Sequence, residues 1–485
     1  MWLRRDLRLT DHPALAAALN GGGPDRRIVP LFVLDPALLR SRRMSPARLS
    51  YLCDALADLD QSLRGRDGRL VLREGDPTTV VPAVAAEIKA TQVHLSGDVS
   101  PYAQRRDAQV SRKLAAQNVA VQPHNSTFVQ PPGRVCSGSG EMYRVFSPFA
   151  RAWSRLPVGT ALPAPDRIPV HGSLRSERLP TLRSLGVALD AEVICGGEAQ
   201  AQQRLDAFLD EWSGSYHEAR NRLGEPATSR LSADLHYGCV SPRTILARLD
   251  RRKPGHKAFA TELAWRDFYA HVLHAWPEVR TSEFNPALRT LPWRGEGEAF
   301  TAWTQGRTGY PVVDAGMRQP LAEGWMHNRA RMITASFLCK DLLIDWRLGE
   351  THFLRHLVDG DLASNNGGWQ WAAGTGTDAQ PYFRIFNPVL QGQKFDRDGA
   401  YVRRYVPELR RVQGKWLHSP WEMPEEVQRE VGVRIGRDYP APIVDHAEAR
   451  QRALDWFDQH TQHPTASLHE DSQRPTASLH EDSRS

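Results

Sequence analysis

The first 125 residues alternate short β-branched runs with helical stretches, and no other feature of the chain restricts its fold as strongly. The runs lie at 28–34, 70–72, 93–95 and 119–121, and the helical stretches open on a proline beside a capping side chain, namely Asp11, Ser45, Asp76 or Ser100. Proline suits the first turn of a helix because its missing N–H is not needed there. Strands that alternate with helices predict right-handed crossovers and therefore a parallel, Rossmann-like sheet.

The carboxyl ends of these predicted strands indicate where the first domain, residues 1–130, would bind a ligand. Ligands of open parallel sheets bind beyond those ends, which here carry Asp35, Glu74, Gly75 and Ser96. Only Met1–Arg4 remain to form a fifth strand. We therefore hypothesise that the natural chain starts several residues further upstream.

Composition divides the remainder of the chain into three parts. Residues 131–200 are rich in Pro, Gly and Ser and predict an interdomain linker with one short helix at 143–156. Residues 201–460 contain few β-branched runs and predict an all-α domain. Residues 461–485 carry the polar sequence TASLHEDS twice, which predicts a disordered tail, with peptide docking as the alternative.

The charge balance permits a polyanionic partner. The chain of 485 residues has 62 Lys and Arg against 56 Asp and Glu, a formal charge of +6 and a pI of about 9.1. Nucleic-acid binding is one interpretation, and the arginine-rich composition of a GC-rich genome is the other.

No stretch of about 18 apolar residues predicts a membrane span, and the first residues do not resemble a secretory signal. Scattered cysteines argue against disulfides and cysteine-bound zinc, so we expect a cytosolic, reduced protein.

Two predicted helical faces in the second domain carry side chains that are candidates for a functional site. The first has side chains at i, i+3, i+4 and i+7: Glu262, Trp265, Arg266 and Tyr269. A carboxylate, an indole and a guanidinium on one face indicate a site, but an ion pair from Glu262 to Arg266 is the simpler explanation of the spacing alone. The second face has Asn328, Arg331, Met332 and Ala335, and an ordinary core helix is its alternative.

Three further features indicate a ligand. The segment 359–374 combines two acids, paired Asn, paired Gly and two Trp, and glycine allows a ligand to approach the backbone closely. Hydroxyls in 228–232 precede a predicted helix whose free N–H groups suit phosphate, although a simple N-cap explains them equally well. Tryptophans suit either core packing or base stacking and electron exchange, and this region has Trp293, Trp303, Trp325, Trp346, Trp369 and Trp371.

Other patterns do not indicate a function. Gly374–Ala379 imitates a dinucleotide fingerprint but follows no predicted strand. His352 and His356 have the spacing of metal ligands but lack an acidic partner, so we expect no metal site. The chain also lacks the motifs of serine hydrolases, P-loop NTPases and Cys/His nucleophiles.

Six blocks of sequence resemble a single family. They read WLRRDLRL, TSRLS, ELAWRDFY, TGYPVVDAGMRQ, GWMHNRARM and DGDLASNNGGWQWAAGTGTDAQPYFRIFNP, in this order, and the match extends to about residue 415. The chain thus resembles the photolyase–cryptochrome family, and most closely the class I cyclobutane pyrimidine dimer photolyases. The resemblance implies an α/β antenna domain followed by a helical FAD-binding domain, which agrees with the division drawn from composition.

The resemblance implies which residues hold FAD. Its phosphates and ribityl chain would contact Tyr216, Thr228, Ser229, Arg230, Leu231 and Ser232. The flavin and adenine would be lined by Asn328, Arg331, Asp359, Gly360, Asp361 and Asn365. Arg331 would pair with Asp359, and Asn365 would lie by flavin N5. Trp369, Trp346 and Trp303 resemble the chain that carries electrons from the protein surface to the flavin.

By the same resemblance, the partner is UV-damaged DNA. The pyrimidine dimer would contact Glu262, Trp265, Asn328, Met332 and Trp371, and the DNA phosphates would contact Arg220, Arg329, Arg384 and Gln391. Asn328 and Met332 resemble the cyclobutane-dimer branch, since the (6-4) photolyases carry histidines there for proton transfer. Asn365 departs from the Asp or Cys of plant and animal cryptochromes.

The implied activity is that of a deoxyribodipyrimidine photo-lyase. Such an enzyme flips a cyclobutane dimer out of the duplex and splits it with an electron from photoexcited FADH⁻. A cryptochrome-like blue-light photoreceptor is the alternative, and a flavin-free DNA-binding protein is a third. Residues 34–36 and 98–107 resemble the deazaflavin-using members, so an 8-hydroxy-deazaflavin antenna is expected in preference to methenyltetrahydrofolate. We expect a monomer in the bacterial cytosol.

Overall fold

The computed structural model describes residues 1–20, 27–172, 174–379 and 381–461. The predicted repeat tail, beyond its first residue, lies outside this part of the chain. Within the described part, every helix is too short or too polar to cross a bilayer.

Five parallel strands form the sheet of the first domain, in the order β3-β2-β1-β4-β5. Their bounds are β1 Trp2–Leu3, β2 Leu31–Leu34, β3 Val71–Glu74, β4 Gln92–Ser96 and β5 Ala120–His124. Trp2 pairs with Leu31 on one side and with Leu95 on the other, so the two-residue β1 is the centre of the sheet. Both residues of β1 and all of β2 are buried, as expected for strands covered on both faces. The predicted five-stranded parallel sheet is confirmed.

Helices connect these strands, and proline begins each of them: α1 Pro13–Asn20, α2 Pro36–Leu39, α3 Pro46–Arg64, α4 Pro77–Glu87 and α5 Pro101–Ala115. Ser45, Asp76 and Ser100 accept hydrogen bonds from the first-turn N–H groups of α3, α4 and α5, which confirms three predicted caps. The cap predicted at Asp11 is wrong. His12 Nδ1 accepts a first-turn N–H of α1 at 3.3 Å instead.

The regular secondary structure of the described chain beyond β5 is helical. The segment between the domains contains α6 Phe146–Arg155, which confirms the short helix expected there. The helices that follow are α7 Glu198–Glu211, α8 Tyr216–Ala219, α9 Ser232–Tyr237, α10 Pro242–Ala247, α11 Pro254–Ala275, α12 Glu298–Thr304, α13 Pro311–Glu323, α14 Asn328–Ser336, α15 Trp346–His356, α16 Leu362–Ala373, α17 Pro388–Phe395, α18 Ala400–Tyr405, α19 Glu425–Val431 and α20 His446–Thr461. Among the described residues no strand lies beyond β5, as predicted for an all-α second domain.

Apolar packing holds the two domains together. One face of the sheet, with Leu3 and Phe32, belongs to the same core cluster as Leu235 and Phe259 of the helical domain. The opposite face has its own smaller core around Val33. Because removing a shared apolar surface from water is favourable, this packing fixes how the domains sit against each other.

A buried ion pair lies beside the shared core. Asp11 accepts hydrogen bonds from Nε of Arg243 at 3.1 Å and from Nη2 at 2.7 Å. Ser241 Oγ donates to the same carboxylate, and the Leu162 N–H donates to it at 3.1 Å. Asp11 therefore joins the first domain, the linker and α10, which explains why its side chain does not cap α1.

Replacing Arg243 with Met would leave the Asp11 carboxylate buried without its cation. We expect the free energy of unfolding to fall by about 3–5 kcal/mol, the usual cost of breaking a buried pair. Arg252→Met is the matched control, because Arg252 makes a similar pair with Asp250 but is 91% exposed, so no measurable change is expected. Urea denaturation followed by circular dichroism measures both. Equal losses in the two variants would mean that the interdomain pair contributes nothing of its own.

Candidate active site

A cavity of about 590 Å³ opens in the helical domain and is walled by residues of α8, α9, α11, α14, α15 and α16. This volume is typical of small-molecule and cofactor sites. Most residues that the sequence singled out line it: Tyr216, Arg220, Thr228, Ser229, Ser232, Glu262, Trp265, Asn328, Arg329, Arg331, Met332, Asp359, Gly360, Asp361, Asn365, Trp369 and Trp371. The remaining ones lie away from the wall: Arg230, Leu231, Trp303, Trp346, Arg384 and Gln391.

Hydroxyl groups before α9 form one part of the wall. Thr228, Ser229 and Ser232 line the cavity. Arg230 has a φ of +51°, and its guanidinium pairs with an acidic side chain of α13. Leu231 is buried in the apolar core. The side chains of Arg230 and Leu231 therefore point elsewhere, and only the three hydroxyl residues of this segment can contact a ligand through their side chains.

Arg331 and Asp359 form the ion pair that the resemblance implied. Nη2 of Arg331 lies 3.1 Å from Oδ1 and 2.8 Å from Oδ2 of Asp359, and its Nε donates to the Met326 carbonyl at 2.9 Å. Asp359 is 4% exposed at its side chain. Because the carboxylate and the backbone both hold the guanidinium, its plane is fixed at the cavity wall.

His327 caps α14, the helix that carries Asn328 and Arg331. Its Nδ1 accepts the Arg329 N–H at 3.1 Å. Burial, reinforced by nearby arginines, lowers the pKa of His327 to about 3. The ring is therefore neutral near pH 7, where it serves as an acceptor that fixes the first turn of α14.

Asp361 anchors the first turn of α16. Its Oδ1 accepts the Ser364 N–H at 2.9 Å, and its Oδ2 accepts Nη2 of Arg5 at 2.6 Å. Burial alone would raise the pKa of Asp361, but the Arg5 guanidinium reverses this and holds that pKa well below its usual range. Burial and the same arginine lower the pKa of His236, on the cavity wall, to about 4. Sequence reasoning did not assign Arg5 or His236 to the site. Arg5 could not be found from local spacing, because it and Asp361 are 356 positions apart.

Asn365 lies one turn into α16. Its Nδ2 donates to the Glu350 carbonyl of α15 at 3.0 Å. The two helices approach closely because Gly349 has no side chain: a Cβ there would lie 2.1 Å from the ring of Trp369. This approach fixes the plane of the Asn365 amide at the cavity wall.

The face of α11 that the periodicity predicted does line the cavity, with Glu262, Trp265, Arg266 and Tyr269. The simpler explanation, an ion pair from Glu262 to Arg266, is wrong. Glu262 pairs with Arg220, while Arg266 donates to the carbonyls of Thr127 at 2.7 Å and Leu235 at 3.1 Å. Burial raises the pKa of Glu262, and Arg220 opposes that rise.

Trp303, one of the three tryptophans in the implied electron chain, is buried next to Trp369. Its ring centroid is 6.0 Å from that of Trp369, which lines the cavity. Trp303 is 0% exposed, and its Nε1 donates to the Thr334 carbonyl at 3.0 Å. Trp346 is also 0% exposed and Trp369 is 2% exposed, so these three tryptophans alone do not reach the protein surface.

Trp293 has the exposure that Trp303 lacks. It is half-buried, whereas Trp346 is 0% exposed. Both indole N–H groups donate to Oε1 of Glu283 at 3.3 Å. One carboxylate oxygen thus joins a buried tryptophan to one that reaches the surface. Sequence reasoning saw Trp293 among six tryptophans, but residue type and spacing do not report exposure.

Arginines cluster around Arg220 and Arg329 of the cavity wall. Arg329 donates to Asn221 Oδ1 at 2.8 Å and stacks over the Phe395 ring at 4.3 Å. Burial, followed by the charges of Arg220 and Arg384, lowers its pKa to about 10. Arg384 is exposed. Such a group of cations favours a polyanion.

The patterns set aside in the sequence have structural explanations. Gly374 ends α16 with a φ of +81°, and a Cβ at Gly376 would lie 2.8 Å from Gln370. The glycines are therefore needed for a helix end and a tight contact. The rings of His352 and His356 lie with their centroids 4.4 Å apart and their planes tilted by 43°. The described ranges contain no group of three side chains placed to bind a metal ion.

Comparison with family models decides the relationship. Residues 1–166 match the model described as DNA photolyase, and residues 259–459 match the FAD binding domain of DNA photolyase. This chain belongs to the DNA photolyase family. It is an enzyme of that family, because curated proteins that match it over almost their whole lengths are named deoxyribodipyrimidine photo-lyase.

Among these photolyases, that of Streptomyces griseus is 43% identical, over 92% of this chain and 96% of its own. That of Synechococcus sp. is 41% identical, over 92% of this chain and 93% of its own. The Escherichia coli photolyase is 40% identical, over 94% of this chain and 97% of its own.

Solved structures of the photolyase family include both functional branches. A bacterial class III photolyase from Agrobacterium tumefaciens superimposes with a TM-score of 0.87 at 38% identity, covering 95% of this chain and 97% of its own. A Synechocystis cryptochrome superimposes with a TM-score of 0.86 at 29% identity, covering 94% of this chain and 98% of its own. An archaeal photolyase from Sulfolobus tokodaii, described with two FAD molecules, superimposes at 0.82 with 29% identity, covering 94% of this chain and 99% of its own.

The cavity fits the FAD that the photolyase family model implies. Hydroxyls and the fixed Arg331 guanidinium suit phosphate and ring polar atoms. The Nε1 of Trp369 is buried at the wall without a partner among the described residues, so it is a donor available to a ligand. A Cβ at Gly368 would meet no atom within 4 Å, so that side of α16 faces open space.

Substitutions at two adjacent glycines of α16 test ligand binding and folding separately. Gly368→Ala would add a methyl group to the cavity, so we expect it to lower the FAD content of the purified protein while the apoprotein melts as before. Gly367→Ala would place a Cβ 2.0 Å from the Tyr269 ring, so we expect a lower melting temperature. Flavin absorbance per protein and apoprotein thermal denaturation measure the two effects. A full complement of FAD in Gly368→Ala would contradict this placement of the ligand.

Proposed function

We propose that this photolyase repairs UV-damaged DNA under blue light by splitting cyclobutane pyrimidine dimers. One observation carries the proposal: the cavity that fits FAD also exposes an indole and a carboxyl side by side, Trp265 and Glu262, on one face of α11. An indole suits a planar base, and a carboxyl suits the polar edge of that base. Both groups are therefore within reach of a lesion and a flavin in the same cavity.

DNA would dock on the arginines of the cavity wall and its surroundings. Arg220 and Arg329 line the wall, and Arg384 and Gln391 lie outside it. Cations that neutralise phosphates release counterions, so the affinity should fall steeply as salt rises. A pyrimidine dimer stacks and pairs poorly, so flipping it out of the duplex costs less than flipping ordinary bases.

The flipped dimer would lie between Trp265 and Trp371. Base stacking on an aromatic ring contributes about 1–3 kcal/mol, which offsets much of the cost of extrusion. Glu262 would hydrogen-bond the dimer, and its raised pKa allows a proton on this carboxyl at higher pH than usual. Arg220, which pairs with Glu262 in the free protein, would have to release that carboxyl when the base arrives.

Asn328 and Met332 favour the cyclobutane-dimer reaction. The Asn328 Nδ2 lies 3.8 Å from the Met332 sulfur on the wall of the cavity. Neither side chain transfers protons near pH 7, which the (6-4) reaction would need. The adjacent His327 is locked as a neutral cap.

Reduced FAD, FADH⁻, would supply the electron that opens the cyclobutane ring when the cofactor is bound. Thr228, Ser229, Ser232 and Arg331 would hold it, and Asn365 would face its central ring. Electrons from outside would travel inward through Trp293, Trp346 and Trp369. The shared Glu283 supports this order, since it joins the half-buried indole to the buried one.

A second chromophore would bind at the carboxyl ends of the strands. Tyr102 donates to Asp35 there, and the Arg106 guanidinium lies 4.9 Å from the Trp2 ring centroid and 5.5 Å from that of Tyr102. We propose 8-hydroxy-deazaflavin in preference to methenyltetrahydrofolate. Second FAD molecules, as in the Sulfolobus tokodaii relative, are a further candidate.

Repair of a defined lesion tests the main proposal. The purified, flavin-reduced protein should restore intact thymines in an oligonucleotide with one cyclobutane thymine dimer under blue light, and not in darkness. Glu262→Gln should lower the repair per absorbed photon about 10-fold, since a hydrogen bond to a charged group contributes about 1.5–3 kcal/mol. High-performance liquid chromatography of the digested DNA measures the product.

The control for this assay is the flavin itself. A protein that holds reducible FAD but repairs no dimer would contradict the proposal. That result would favour the cryptochrome-like photoreceptor, an alternative that the structural similarity to the Synechocystis cryptochrome supports.

Substitution of single tryptophans tests the electron path. Trp293→Phe and Trp346→Phe should each abolish light-driven reduction of the bound flavin by an external thiol, because phenylalanine is far harder to oxidise. Trp303→Phe is the matched control, an equally buried indole beside Trp369 that the path does not use. The loss of blue absorbance during illumination measures the reduction. Loss of reduction in Trp303→Phe, with Trp293→Phe unaffected, would reverse the assignment.

A further inference from the structure

A phenylalanine of the linker covers one face of Trp265. Phe146, the first residue of α6, stacks on Trp265 with ring centroids 3.6 Å apart and planes 7° from parallel. Phe146 is buried and lies behind the cavity wall, whereas Trp265 is part of that wall. The face of the indole that Phe146 covers is therefore not available to a ligand in the cavity. Phe268 meets the Phe146 ring edge-on at 5.7 Å and limits its tilt.

The loop after α16 fixes the backbone that carries Phe146. Thr377 Oγ1 donates to the Arg144 carbonyl, two residues before Phe146. Thr377 is buried. This bond holds the chain just before Val145. The start of α6 therefore has little freedom to move away from Trp265.

This loop is the glycine-rich segment that imitates a dinucleotide fingerprint. Gly374 lets the chain leave α16, and Gly376 brings the loop against Gln370 on the same helix. Trp371, the proposed second wall of the lesion site, is also on α16. The helix α16 thus carries Trp371 itself, and the loop that follows α16 contacts the chain leading to Phe146, which stacks on Trp265.

We propose that Phe146 is a positioning residue, which holds the indole of Trp265 in the plane that receives the pyrimidine dimer. The inference rests on the proposed function, because it concerns the same lesion site. The stacked ring of Phe146, held through the Thr377 hydrogen bond, restricts Trp265 before DNA arrives, so less freedom is lost when the dimer binds. Phe146 itself does not line the cavity.

Binding to damaged DNA tests this role first. Phe146→Leu should weaken the affinity for an oligonucleotide with one thymine dimer about 3- to 10-fold, the range expected for loss of an aromatic pair. Its FAD content should be unchanged. Phe146→Tyr keeps the stacked ring and should restore the affinity. In a Trp265→Ala background, Phe146→Leu should have no further effect on affinity.

Phe149→Leu is the matched control for lost volume. Phe149 lies one turn later on α6, is 0% exposed and packs on Phe268 with centroids 5.1 Å apart. It has no ring contact with Trp265 among the described residues. We expect it to lower the melting temperature at least as much as Phe146→Leu while leaving the affinity for the dimer unchanged. Equal losses of affinity in both variants would mean that α6 acts only through stability, which would overturn the proposal.

A measurement on the free protein keeps this test separate from the repair function. Fluorine NMR of protein labelled with 5-fluorotryptophan gives one resonance for Trp265, identified by its absence in Trp265→Phe. Phe146→Leu should shift and broaden that resonance. Phe149→Leu should not, and Phe146→Tyr, which keeps the stacked ring, should change it little.

The outcomes distinguish the two proposals. If the wild-type protein does not prefer dimer-containing DNA, the proposed function fails, and the NMR result alone decides whether Phe146 orients Trp265. An unshifted Trp265 resonance in Phe146→Leu overturns the positioning role even if repair is confirmed. A shifted resonance together with weakened dimer binding supports both.

Discussion

The contact between Arg5 and Asp361 ties the amino-terminal sheet to the helix on which the candidate site depends. Asp361 is at once the N-cap of α16 and the partner of a guanidinium that follows β1. Because Arg5 keeps this carboxylate ionised, the cap remains in place over the whole range of ordinary pH. The position of Asn365 one turn later, and of Trp369 a further turn on, then depends on where the first domain holds Asp361.

Close approach between helices gives the site its remaining precision. Gly349 allows α15 to contact the ring of Trp369, and Gly367 allows α11 to contact α16 through Tyr269. A side chain at either glycine would separate these helices, and interiors packed this densely transmit such a shift to their neighbours. The cavity is thus bounded by elements that cannot move independently, which suits the proposed reaction, in which a lesion and a flavin are held at a fixed separation.

The helical faces were predictable because they depend only on local periodicity. Glu262 and Trp265 share the cavity wall, as their spacing on α11 indicated. The choice of partner was not predictable in the same way: Glu262 binds Arg220 of α8's C-terminal end, and Asp11 binds Arg243. A local ion pair or cap is always available in sequence, but a buried charge takes the partner that best replaces its lost hydration, wherever that partner lies along the chain.

The sequence by itself determined the order of strands and helices, the change from an α/β to an all-α region, and the family to which the protein belongs. Those properties follow from hydrophobic period, helix caps and long blocks of residues, all of which are written locally. Only the tertiary structure decided which tryptophan reaches the surface, which carboxylate anchors α16, and that Phe146 stacks on Trp265. These depend on burial and on contacts between distant segments, and neither exposure nor a distant partner leaves a periodic signal in the chain.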